Sequence, residues 1–433
     1  MEKKPKRERS RRPRKTADKN INTVKAGKRA GRPKKTKRRK GRVLGRGLQI
    51  ALVVLLACVL FYVIRNFGEG NKYNNKGMEA YNRADYETAN ACFEKAVQYD
   101  EKNGEYHMNH GMAQSELKLY DEAMASFNTA LELMRRDKDI QQVYRAMGIS
   151  LMYQGKYDEA LESFNKALDG KESRFSDTEI DILYYKAETE DKAGKYVEAV
   201  MTYTKIVEQE KSADAYMLRG MSYVKVGDST SAEADLRIAI KKDKKNYEIY
   251  MALYEALINQ NKTEDGKTVL EEALKLGGSK GSDLVNQGNI YLELGDYTSA
   301  EDKFKKALDK GEVSAHLGYA ELYMTEEKTN YPEAEAHFEA YLAQVADNAE
   351  AYNKYGSCLM AQEKYAKAEE IFTRGVALNN RLLDRTISKN QISAAEHAGN
   401  WAKALEYIDV YLQKYSDDAE AVREREFIQT RIR

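Results

Sequence analysis

The chain has 433 residues, 42% of them hydrophobic, and its formal charge of +2 comes from 71 Lys and Arg set against 69 Asp and Glu. That near-neutral total conceals a bipolar molecule, because residues 1–46 carry a net +19 and the residues beyond Asn66 a net −18. Three cysteines, Cys58, Cys92 and Cys358, the last two 266 positions apart, exclude a disulfide-stapled scaffold.

The first element is the basic tail, 1–46. With Pro5, Pro13 and Pro33 and almost no large apolar side chains, it cannot bury enough surface to fold and is expected to be disordered. Each Lys or Arg near an anionic leaflet contributes about 1 kcal/mol, so the stretch from Lys34 to Arg46 is expected to lie along anionic lipid. Gly31-Arg32-Pro33 resembles the core of a minor-groove hook. Three residues are a weak signal, and a nucleic-acid partner is not favoured.

Next comes an apolar run. Leu48 to Ile64 holds 17 uncharged residues, 12 of them Leu, Ile, Val or Phe. A helix of that length reaches about 25 Å, near the short limit for a bilayer core of roughly 30 Å. Residues 47–65 are therefore expected to form one transmembrane helix. The basic flank stays on the cytoplasmic side, which predicts a single-pass cell-membrane protein with a cytoplasmic N-terminus and everything after a 66–72 linker extracytoplasmic. Leu55-Leu56-Ala57-Cys58 resembles a lipoprotein box, but cleavage there would leave an apolar half-span, and the anchor is preferred.

From residue 73 to 418 one eleven-residue signature returns ten times, at spacings of 33 to 39 residues. Its small and large apolar members are Ala89 and Phe93, Ala123 and Phe127, Ala160 and Phe164, and Ala199 and Tyr203. They continue as Ala232 and Leu236, Gly266 and Leu270, Ala300 and Phe304, and Ala334 and Phe338. Ala368 with Phe372 and Ala404 with Ile408 complete the set. Residues four apart share a helix face, so each signature is an apolar stripe with a small member where a neighbour can approach. Twelve residues upstream of the small member a Gly or Ala recurs, as at Gly77, Gly111, Gly148, Ala187, Gly220, Gly288 and Gly356, and marks a preceding helix. A turn such as Gly155-Lys156-Tyr157 or Gly295-Asp296-Tyr297 separates the two, Gly accepting the left-handed conformation there.

These residues resemble the tetratricopeptide repeat. The resemblance implies an all-α, right-handed superhelical solenoid of about ten helix-turn-helix repeats that binds protein or peptide in a groove lined by the first helices. The sixth unit departs most, with Tyr254 where the Gly belongs and Gly266 where the Ala belongs. The eighth carries extra residues at 325–330, which leaves the register of its first helix open. Residues 419–433 are expected to form a polar capping helix.

Catalytic constellations are absent from the pattern, and neither an enzyme nor a cofactor is expected. Gly266-Lys267-Thr268 ends like a phosphate-binding loop but falls on a repeat's second helix, with Asn261 where the first Gly is required. His107 and His110 lack an identifiable third metal ligand, so packing is the preferred reading.

The groove-facing stripe should begin one residue after each first helix's apolar anchor. It contains Met78, Met108, Met112, Met152, Met217, Met221, Met251 and Met360, with Tyr184, Glu188, Asp191 and Glu255 among them. Methionine is flexible and recurs on surfaces that accept varied apolar ligands. The expected function is a membrane-anchored scaffold that binds peptides or proteins in envelope assembly, secretion or chaperoning. The alternative is a receptor whose basic tail binds anionic lipid or nucleic acid.

Overall fold

The computed structural model describes residues 55–56, 68–170, 173–378, 380, 382–416 and 418–432. The expectations for the basic tail and for most of the 47–65 segment lie outside those residues. The compact unit treated below runs from Glu69 to Arg433.

From residue 68 onward the described residues form 21 helices and no strand. α1 spans 68–82, followed by α2 (Tyr86–Tyr99), α3 (Gly104–Glu116), α4 (Tyr120–Leu133), α5 (Asp137–Tyr153), α6 (Tyr157–Ala167) and α7 (Asp177–Lys192). α8 (Tyr196–Gln209), α9 (Ala213–Val226), α10 (Ser229–Lys242), α11 (Tyr247–Ile258), α12 (Thr263–Leu274), α13 (Gly281–Glu293) and α14 (Tyr297–Leu308) continue the series. It closes with α15 (Ala315–Leu322), α16 (Tyr331–Leu342), α17 (Ala349–Ala361), α18 (Tyr365–Val376), α19 (Asp384–His397), α20 (Trp401–Lys414) and α21 (Ala419–Arg431). The odd-numbered helices α1 to α19 are the first helices of ten units, and the even-numbered ones are the second.

Each unit is held by a small residue on one helix facing a large one on the other. Ala89, Ala123, Ala160, Ala199, Ala232, Ala300, Ala334, Ala368 and Ala404 are all fully buried, as are Phe93, Phe127, Phe164, Phe304 and Phe338. Opposite the aromatic stands the first-helix glycine. A Cβ added at Gly77, Gly148, Gly288 or Gly356 would lie 2.3 to 2.5 Å from the ring of Phe93, Phe164, Phe304 or Phe372. No side chain fits in that gap. In unit 6 the arrangement is reversed: Tyr254 stands on the first helix and Gly266 on the second, where a Cβ would meet the Tyr254 ring at 3.1 Å. The unit keeps its complementarity by exchanging which helix is small.

The turns follow the same economy of conformation. Gly155, Gly194, Gly227, Gly295 and Gly399 close first helices at φ of 73° to 87°. Ala84, Lys118, Asn261 and Glu363 hold the equivalent turns at φ of 58° to 63°, a region that costs a non-glycine residue free energy. In unit 8 the register left open by the sequence resolves into a first helix of only eight residues, with Gly318 also pressed against Phe304, at 2.3 Å for a Cβ.

Consecutive helices pack throughout, and first helices also touch the next first helix, as α3 does α5, α5 does α7 and α11 does α13. Among the described residues no two second helices are among the closely packed pairs. The first helices therefore occupy the inner side of the stack. At its end α21 docks through Ala421 and Ile428, but Val422 and Phe427 are 41% and 42% exposed, so the cap is less polar than expected.

The single-pass localisation needs correction. Among the described residues no helix is long and apolar enough to cross a membrane. The physical reason is visible in the longest of them: α5, 17 residues, carries Asp137, Lys138, Asp139 and Arg145 and contributes only one side to a core. The division into cytoplasmic tail and extracytoplasmic repeats falls with it.

The inner face of the first helices

Successive first helices are stitched together by side chains about one repeat apart in sequence. The Asn109 amide donates to Asn74 Oδ1 at 2.9 Å, and the Tyr106 hydroxyl donates to Asn71 Oδ1 at 2.9 Å, joining α1 to α3. Arg145 Nε donates to Asp181 Oδ2 at 2.6 Å between α5 and α7. Ser222 Oγ lies 3.1 Å from both oxygens of Asp191, joining α7 to α9. The Tyr254 hydroxyl donates to Glu293 at 3.2 Å, and Asn390 donates to Asn353 at 2.9 Å. These bonds fix the spacing of the helices, and what projects between them is the available surface.

The methionines divide on this face. Met152 and Met217 are interior, 4% and 7% exposed, and Asn246 Nδ2 approaches Met217 Sδ at 3.8 Å. They fill contacts between neighbouring helices. Met78, Met108, Met112, Met221, Met251 and Met360 are half-buried, each packed by its inner side on a core cluster. Tyr184 is half-buried and its hydroxyl donates to Glu210, while Glu188 and Glu255 are exposed. Asp191 is half-buried, and burial, the largest influence on it, lifts its carboxyl above the ordinary aspartate range.

The stripe also contains two residues that are not methionine and that the methionine pattern does not mark. Val285 and Asn289, one and five residues after the Leu284 anchor, line a pocket of about 210 Å³ across units 7 to 9. Leu317, Glu321 and Lys354 complete its wall, the first two invisible beforehand because unit 8 had no register. Lys354 bridges Glu321 and Glu350 at 2.5 and 3.0 Å. A wider recess of about 1310 Å³ opens where the connection between units 3 and 4 is longest, beside Tyr144, Lys166 and Phe175.

His107 Nε2 lies 2.8 Å from Glu101 O, and burial pushes His110 below the ordinary imidazole range. Gly266, Lys267 and Thr268 lie on α12, with Gly266 buried against Tyr254. Among the described residues no three His, Cys, Asp or Glu side chains converge as a metal site. The surface offers apolar contact, carboxylates and hydrogen-bond acceptors, which is the chemistry of non-covalent recognition.

Two sequence models described as tetratricopeptide repeat match the chain, one over residues 74–138, 255–315, 285–329, 326–381 and 359–419 and the other over 141–169. Among curated proteins, human Superkiller complex protein 3 is 23% identical over 316 residues, which are 70% of this chain and 17% of that protein. ETO1-like protein 2 of Arabidopsis thaliana is 30% identical over 148 residues, 33% of this chain and 15% of that one. The chain thus spans less than a fifth of the length of these relatives. Among solved structures, a tetratricopeptide repeat protein from Parabacteroides merdae aligns with TM-score 0.44 and 17% identity over 64% of this chain and 99% of that one. Yeast Tom70 aligns with TM-score 0.40 and 16% identity over 79% and 84%.

Proposed function

The chain belongs to the tetratricopeptide repeat family, whose members bind protein or peptide partners and are generally non-catalytic, and from that premise we propose that it is a scaffold holding a polypeptide segment along the inner face of its first helices. The observation that carries this reading is the half-buried row of Met221, Met251 and Tyr184 on helices whose spacing is already set by cross-helix bonds such as Ser222 to Asp191. A surface held at fixed spacing with flexible apolar side chains left partly open gains contact area on binding without reorganising its backbone. The groove residues are Met78, Met108, Met112, Tyr184, Glu188, Met221, Met251, Glu255 and Met360. Met152 and Met217, both interior, support the helices behind them.

The test separates the two methionine classes. Random dodecapeptides displayed on phage are selected against the purified chain, and binders are measured against Met221→Gln/Met251→Gln and Met152→Gln/Met217→Gln. The first pair should lose tenfold or more in affinity with only a small fall in denaturant midpoint, because Met221 and Met251 are half-buried. The second pair should instead lose unfolding free energy, because each Gln places an amide in an apolar interior. Binders indifferent to Met221 and Met251, or none at all, would sink the reading.

A further inference from the structure

Resting on that reading of the groove, we infer that its stretch over units 4 to 6 accepts a cationic segment that also presents apolar side chains. The floor is apolar: Tyr184 on α7, Met221 on α9 and Met251 on α11 are half-buried. Carboxylates rise from the same helices, Glu188 and Asp191 from α7 and Glu255 from α11.

The chain's own cations compensate them poorly. Asp191 receives Ser222 Oγ at 3.1 Å, but its nearest cation, Lys225 Nζ, stays 3.8 Å away, at the outer edge of ion pairing. Among the described residues Glu188 is paired only with Lys192, at 2.9 Å and one turn along its own helix, with both side chains over 40% exposed. Such a pair is worth little and opens readily. Glu255 is exposed and forms no ion pair among the described residues. Burial holds the Asp191 carboxyl above its ordinary range against the opposing pull of Lys225 and Ser222, and Glu190 and Glu188 add smaller contributions to it, so negative charge stays concentrated where water is partly excluded. A partner's guanidinium or ammonium entering there would relieve that repulsion, and the apolar part of the same partner would cover the methionines. An acidic or purely apolar segment would do one or neither.

The probes are three fluorescent 16-residue peptides of the same Leu pattern, with Lys, Gln or Glu at the remaining positions, titrated by anisotropy into the full chain at 50 and 300 mM NaCl. The basic N-terminal segment is then common to every arm. The Lys peptide should bind at least tenfold tighter than the other two at 50 mM and lose at least tenfold at 300 mM, as partly screened charges require. Glu188→Gln/Asp191→Asn/Glu255→Gln should lose about tenfold for the Lys peptide and nothing for the Gln peptide. The matched control Glu87→Gln/Glu122→Gln/Glu159→Gln, on the second helices α2, α4 and α6, should change neither, and thermal melts check that all three proteins are folded.

If the control loses as much as the groove variant, attraction is diffuse and the inference is wrong. If all three peptides bind alike and weaken only with Met221→Gln/Met251→Gln, groove binding stands and the charge preference is wrong. If none binds while the display selection yields groove-dependent peptides, the preference is again wrong. If both assays find nothing, it falls together with the reading on which it rests.

Discussion

Gly148 on α5 lies so close beneath Phe164 on α6 that a Cβ there would sit 2.5 Å from the ring's Cε1 and 2.7 Å from Cδ1. The ring is fully buried and has no space into which to withdraw. Gly148→Ala is therefore an overpacking substitution at a helix interior where Ala would otherwise be favoured by about 1 kcal/mol. We expect it to destabilise the protein by about 1–3 kcal/mol net, and Phe164→Ala by about 3–5 kcal/mol through the cavity it leaves. Because each unit touches mainly its neighbours, hydrogen exchange should accelerate most in α3 to α8. Uniform acceleration across all ten units would contradict a nearest-neighbour stack.

Unit 6 should tolerate conversion to the pattern of the others, provided all its parts change together. Tyr254→Gly alone removes a ring from the first helix, and Gly266→Ala alone crowds that ring from 3.1 Å; each is expected to destabilise. The triple change Tyr254→Gly/Gly266→Ala/Leu270→Phe rebuilds the small-against-large pair in the usual orientation and should recover at least half of the summed single-site losses. Denaturant midpoints of all three singles, the Tyr254→Gly/Gly266→Ala double and the triple decide this, and strict additivity in the double would show that Tyr254 and Gly266 are not a complementary pair.

The contrast between units 6 and 8 shows what was legible in the chain and why. The Gly148 and Phe164 pair could be read from spacing because both partners keep fixed places along two regular helices, and the same holds from Ala89 to Ala404. Unit 6 looked defective in one dimension because an exchange between facing helices appears as two independent losses; the contact that joins Tyr254 to Gly266 exists only in space. Unit 8 was illegible for a different reason: residues 325–330 break the count, and α15 is shortened to Ala315–Leu322, so Leu317 and Glu321 had no index. On the inner face, the frame located the stripe but not depth. Met152 and Met217 belong to the same stripe as Met221 and Met251 and are nonetheless covered, since depth is set by packing in space and not by spacing along the chain.

The turn residues offer a gain rather than a loss. Glu363 holds φ at 58° in the turn between α17 and α18, where units 3, 4, 5, 7 and 10 have glycine at φ of 73° to 87°. A left-handed backbone costs a non-glycine residue about 1–2 kcal/mol, partly offset by the greater entropy glycine loses on folding. Glu363→Gly should thus stabilise the protein by roughly 0.5–1 kcal/mol. Lys118→Gly, at φ 63°, should act in the same direction. Gln362→Gly, one residue earlier at the end of the helix, should not. Melting temperatures of the three variants provide the check, and a fall for Glu363→Gly would mean that its side chain supports the turn.

The last unit carries a pH dependence whose sign follows from one carboxyl pair. Burial, together with the hydrogen-bonded Glu424 on α21, pushes Glu396 on α19 up to about 7, and its Oε1 is buried without a hydrogen-bond partner among the described residues. A carboxyl that holds its proton more tightly when folded than when unfolded, where its pKa is about 4.3, favours the folded state most at low pH. That contribution is complete below about pH 4.3 and is lost as pH rises through about 7, when both carboxylates carry charge side by side. The docking of α21 should therefore loosen between pH 5 and pH 8. Glu396→Gln keeps a neutral hydrogen-bonding group at every pH, so amide exchange of α21 in this variant should be slower than in the parent at pH 8 and alike at pH 5, after correction for intrinsic exchange rates. If the parent and variant change in parallel across that range, the pair does not share a proton and the charge of Glu396 plays no part in holding the cap.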